Sequence, residues 1–162
     1  MNADDGEKRA LVAFLAAQRA SVVAIVDGLD DSALTTSVVP SGWTPLGLVE
    51  HLGWVERAWF QEVVGGEAEP HPWAGDHDPL TTPRPREAVL AFYEEQCRHS
   101  DAVIARTPLS APTKVPRPEP LGDDLADLRG VILHLIEETA RHAGHLDIAR
   151  ELLEGRTGLG PR

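Results

Sequence analysis

The sequence predicts an all-α protein built as a four-helix bundle, and three observations carry that expectation. Four segments repeat apolar residues at three- and four-residue steps, none alternates as a half-buried strand does, and glycines punctuate the segment ends. The first segment runs from about Asp4 to Gly28, with Leu11, Phe14, Leu15, Val22, Ile25, Val26 and Leu29 on its stripe. The second opens at Thr44-Pro45, an N-cap followed by a proline in the first turn, where the missing N–H costs nothing. Leu48, Leu52, Val55, Trp59 and Val63 form its stripe, and Gly65-Gly66 end it. The third spans Arg84 to about Thr107 and places Val89, Leu90, Phe92, Tyr93, Val103 and Ile104 inside. The fourth runs from about Asp123 to Leu153, with Gly155 as its stop.

Two connections, GEAEPHPWAGDHDPLTTPRP and PLSAPTKVPRPEP, are rich in proline and long for a bundle. Loops of that length serve a function or order loosely. No internal repeat is visible, and residues 1–162 are expected to form a single domain.

Charge narrows the function. Lys and Arg number 15 against 26 Asp and Glu, for a formal net charge of -11. Phosphate backbones need the opposite balance, so no nucleic acid is expected as partner. No apolar run reaches a membrane span and the N-terminus MNADDGEKRA lacks a basic-then-apolar signal, so the expectation is no membrane and a soluble, cytoplasmic protein. The lone Cys97 forms no internal disulfide and builds no thiolate cluster. It also lacks an activating motif, and Ser21, Ser32, Ser37, Ser41, Ser100 and Ser110 show no nucleophile-elbow context.

The chemistry gathers in EETARHAGHLDIAREL, Glu137 to Leu152. At about 100° per residue, Leu128, Val131, Ile132, Leu135, Thr139, Leu146 and Leu153 form the buried stripe of the fourth helix. His142 falls within that stripe, and Glu138 lies one turn earlier at its side. A carboxylate and an imidazole so placed can share one cation, and His51 on the second helix is the third candidate. Two His and one carboxylate suit a catalytic zinc site with an open fourth position, or nickel, manganese or iron. The plainer alternative is a core histidine satisfied by a glutamate one turn away. The same spacing also occurs at Glu67/His71 and Glu95/His99, so spacing does not decide. His134 and His145 share the Glu138 side. His145 reads as ligand, ligand-supporting donor or solvated side chain, and His134 as support or packing. Solvent is the default for His71, His77 and His99.

The segments TPLGLVEHLGWVERAWF and HLIEETARHAGHLDIARELLEG together resemble the DinB-like superfamily, specifically its DUF664 branch. The resemblance implies an up-down-down-up bundle, a homodimer, and one divalent metal. It assigns the first ligand to His51 and the last to His142. The middle ligand falls on Glu138, where many members carry His. The mycothiol-dependent maleylpyruvate isomerases look similar, with a His, Glu, His set, but carry a further C-terminal domain. In length the chain is more similar to the mycothiol and bacillithiol S-transferases. Asp147 and Arg150 match the HxDxxRE continuation of the branch, either holding the helix end or contacting a thiol cofactor.

The resulting expectation is a metal-dependent S-transferase: zinc foremost, nickel or manganese otherwise, activating a low-molecular-weight thiol of mycothiol type against a small-molecule electrophile. The alternatives are a metal-assisted hydrolase, with His145 or Glu50 as general base, and a non-catalytic metal-binding stress-response protein. Trp43, Trp59 and Trp73 are expected in the core, at a dimer contact or around a pocket.

Overall fold

In the computed structural model, which describes residues 3–67, 80–115 and 125–157, every regular element is helical. The order is α1 (Ala3–Val26), α2 (Asp31–Thr35), α3 (Pro45–Glu56) continued by a π-helix (Arg57–Val64), α4 (Arg86–Arg106) and α5 (Leu128–Glu154). Among the described residues the sole β-type pairing is an isolated antiparallel bridge between Pro112 and Asp127.

Cross-helix pairs fix the directions. Glu7 meets Arg129 at 2.6 Å and Arg150 donates to the Ile25 carbonyl at 2.7 Å, so α1 and α5 run parallel. Lys8 reaches the Thr107 carbonyl and Arg86 the Leu29 carbonyl, so α4 runs against α1. Glu50 pairs with Arg84 and Gln61 with Gln96, so α3 and its π extension follow α4. The order is therefore up, down, down, up.

Local chemistry sets the helix ends. The Thr44 hydroxyl accepts from the Gly47 N–H ahead of α3, and the Asp127 carboxylate from the Gly130 N–H ahead of α5. Gly155, at φ 69°, closes α5 in the left-handed conformation. At Gly47 a side chain has no room: a Cβ there would sit 2.0 Å from the Leu80 carbonyl oxygen.

The boundaries differ from expectation in four places. The fourth helix starts at Leu128 rather than Asp123, which lies outside the described residues. Just before it, Thr113 N–H bonds the Ala126 carbonyl and Leu128 N–H the Ala111 carbonyl, which commits this backbone elsewhere. The third helix starts at Arg86 rather than Arg84, because Arg84 precedes a proline and is biased away from helical backbone. The second helix changes to π geometry after Glu56, and the Gly65 N–H bonds the Phe60 carbonyl five residues back. The short α2, capped by Asp30, was not expected.

The core forms two apolar clusters. One holds Leu15, Phe60, Val103, Leu128 and Leu135; the other holds Val22, Leu48, Leu52, Tyr93 and Leu146. Phe14 belongs to neither and is 63% exposed, because Leu11, Leu15 and Val22 take the inward face of α1. Asp5–Val26 is long and apolar enough to cross a membrane, with a mean hydropathy of 1.6, contrary to the expectation that no run reaches that measure. Exposed alanines at 13, 16, 17, 20 and 24 supply much of that average, while Leu15, Val22, Ile25 and Val26 are buried in the bundle.

Candidate metal centre

α3 and α5 run antiparallel, and His51 comes to face Glu138 and His142 between them. Both α5 residues are buried, each 9% exposed. Glu138 Oε1 lies 2.9 Å from His142 Nε2 and 3.7 Å from His51 Nε2. The two imidazoles meet edge to face, with centroids 5.2 Å apart. The three donor atoms all lie within 4.8 Å of one another. That donor set, two nitrogens and one carboxylate oxygen converging on one small space, fits a divalent cation of the zinc type.

Electrostatics favour the ligating form of His142. Burial, with the charges of His51 and Arg141, pushes its pKa down to about 4, which leaves the ring neutral at neutral pH. Its second nitrogen is also engaged: His142 Nδ1 lies 3.3 Å from His145 Nδ1. His145 itself is exposed, its ring 6.2 Å from that of Trp43. It therefore touches a proposed ligand from outside. The remaining Glu138 oxygen, Oε2, accepts from Arg141 Nη2.

A comparison with known families bears on the chain as a whole. The mycothiol-S-transferase family model matches residues 10–155, nearly the whole chain. The chain belongs to the mycothiol-S-transferase family. No curated protein matches it. The matched span carries His51, Glu138 and His142, and with them the two helices on which the DinB-like resemblance rests.

The remaining candidates of this family member fall in several places. Arg150 points to α1 and donates to the Ala24 and Ile25 carbonyls, so it ties down that helix end. Asp147 is half-buried on α5. His134 packs against Trp59 of the π-helix, centroids 4.7 Å apart, and burial lowers its pKa. His99 is exposed on α4. Trp43 is half-buried and Trp59 buried, while His71, Trp73 and His77 lie outside the described residues. Glu50 is paired with Arg84 at 2.8 Å, which engages the carboxylate a hydrolytic mechanism would draw on.

Sequence reasoning missed two features. Arg141 was overlooked although it stands three residues after Glu138, the spacing of side-chain neighbours on a helix. The second is a buried ion pair in the middle of the bundle. Arg19 forks onto both oxygens of Glu56, at 2.7 and 2.6 Å, and reaches Asp101 at 2.7 Å. Burial opposes the Arg19 charge, but Glu56 outweighs it and raises the pKa above the ordinary value. Its signal was a glutamate on the apolar stripe of α3, four residues after Leu52.

Proposed function

We propose that this chain is a divalent-metal-dependent S-transferase that conjugates a low-molecular-weight thiol of mycothiol type to a small electrophile. The observation that carries the reading is a single carboxylate oxygen, Glu138 Oε1, facing the Nε2 atoms of His51 and His142. These three residues would hold the cation, zinc foremost and nickel or manganese as alternatives. Held there, such a cation would supply Lewis-acid chemistry that lowers the pKa of a thiol and so favours thiolate at neutral pH.

The chain's own residues prepare that chemistry. In the absence of a cation, His142 Nε2–H donates to Glu138 Oε1. With Nε2 used as a ligand, the His142 proton would reside on Nδ1, 3.3 Å from His145 Nδ1, and a hydrogen bond there would hold the ring orientation. Cys97 is a poor competing nucleophile: burial pushes its thiol up to about 12. Conjugation then forms one C–S bond, releases the leaving group with the bonding pair, and gives the thiol proton to solvent. An aqueous cytoplasmic setting, where small thiols are kept reduced, suits this reaction.

The test is a conjugation assay with purified protein, mycothiol and a haloarene acceptor. Turnover should require both added thiol and added metal. Turnover that persists with water alone would replace this reading with a hydrolase.

A further inference from the structure

Arg141 sits one turn beyond Glu138 on the same side of α5. Its Nη2 donates to Oε2, while Oε1 is left to face His51 Nε2 at 3.7 Å and His142 Nε2 at 2.9 Å. The two oxygens of one carboxylate therefore have separate duties. A carboxylate with both oxygens free can close on a cation through either one or both. Closing through both would occupy the position that an incoming sulfur needs. An arginine Nη2 on Oε2 disfavours that option, because its charge-assisted N–H competes with a cation for that oxygen.

We infer that Arg141 is a positioning residue that restricts Glu138 to one donor oxygen and so keeps a coordination position free for the thiol. The inference rests on the metal-centre reading proposed above. It assigns to a residue outside the ligand set control over coordination number. Geometry and residue type make the assignment specific. Lysine at 141 would keep the charge but as a strongly hydrated, more mobile ammonium, and so would hold Oε2 less well. The side chain of Arg141 is 57% exposed, so shortening it leaves no core cavity and the fold should survive.

Cobalt(II) in place of the native cation reads coordination number directly, since four-coordinate high-spin cobalt absorbs visible light far more strongly than five- or six-coordinate cobalt. Wild-type protein without a histidine tag, loaded with cobalt, should show the intense four-coordinate spectrum. Arg141→Met should lose several-fold in that intensity, with Arg141→Lys between the two. Titration with β-mercaptoethanol, followed by the sulfur-to-cobalt charge-transfer band, should need about tenfold more thiol in Arg141→Met, the scale of effect expected for a group supporting a metal ligand. Identical spectra and thiol titrations for wild type and Arg141→Met would overturn the role of Arg141 while leaving the metal centre standing. Loss of cobalt by Arg141→Met would move the residue to metal retention and equally overturn the inference. A wild-type protein that takes up no cobalt would remove the metal centre and the inference together.

Discussion

Glu138 shows how much one side chain can be asked to do in a bundle core. It is buried, accepts from an arginine at the rim, and turns its other oxygen to two imidazoles. An isolated buried carboxylate is costly, and these partners offset that cost before any cation arrives. Cys97 shows the opposite case, a reactive group made inert by its surroundings. Burial and the neighbouring Glu56 carboxylate disfavour its thiolate, moving the pKa from 9.0 to about 12. Thiolate is the reacting form, so iodoacetamide at pH 8 should label Cys97 in the folded protein at least about tenfold more slowly than in urea. Equal labelling rates would show that the thiol is open to solvent and would restore it as a candidate nucleophile.

At the scale of elements, the two apolar clusters are separated by a polar layer to which each long helix contributes. Along α1 it is Arg19 between Leu15 and Val22, and along α3 it is Glu56 between Leu52 and Trp59. Gln96 and Ser100 of α4 lie between Tyr93 and Val103, and Glu138, Thr139 and His142 of α5 between Leu135 and Leu146. The proposed centre thus belongs to a layer that the Arg19–Glu56 pair also anchors, at the junction where α3 becomes π-helical. Removing one partner of that pair strands a buried charge. Arg19→Ala should cost about 3–5 kcal/mol in urea unfolding, the range for breaking a buried ion pair. A cost below about 1 kcal/mol would mean that the pair behaves as an exposed one.

These elements also show what could be read from the sequence. Periodicity was enough for the four long helices and for His51, Glu138 and His142 as candidates, because apolar stripes at helical spacing are a strong local signal. The π-helix was not legible: apolar periodicity does not distinguish i to i−5 from i to i−4 bonding, and Trp59 within it meets His134 of α5, a tertiary contact. The start of α5 was misplaced because the Asp123-Asp124 pair and Asp127 look alike as caps. Only backbone pairing with residues 111–113 separates them. Arg141 was legible only as a neighbour of Glu138 by its three-residue spacing; which carboxylate oxygen it takes is settled by tertiary geometry.

At the scale of the whole molecule, the outer face of α1 has more apolar surface than the bundle uses. An open groove of about 740 Å³ lies between α1 and α4, lined by Val12, Ala13, Ala16, Ile104 and Ala105, with Asp5, Lys8, Arg9 and Asp101 around it. Exposed Phe14 lies on the same helix. We propose that a homodimer, which the family resemblance implies, is built on this face. A stable dimer buries about 1,600 Å² in total, so one charge placed centrally should be disruptive. Ala13→Glu should then shift a dimeric wild type to monomer in light scattering at micromolar concentration. A monomeric wild type, or a variant dimer of unchanged stability, would exclude this face as the interface.

His51, Glu138 and His142 are proposed to hold one divalent cation together, and metal analysis tests this most directly. Protein purified without a histidine tag and loaded with zinc should retain about one equivalent per chain after gel filtration, the content of a three-ligand site. Glu138→Gln and His142→Ala should lose it, while His99→Ala, altered at an exposed histidine of α4, should keep it. Zinc retained unchanged in both Glu138→Gln and His142→Ala, or absent from the wild type, would contradict the account.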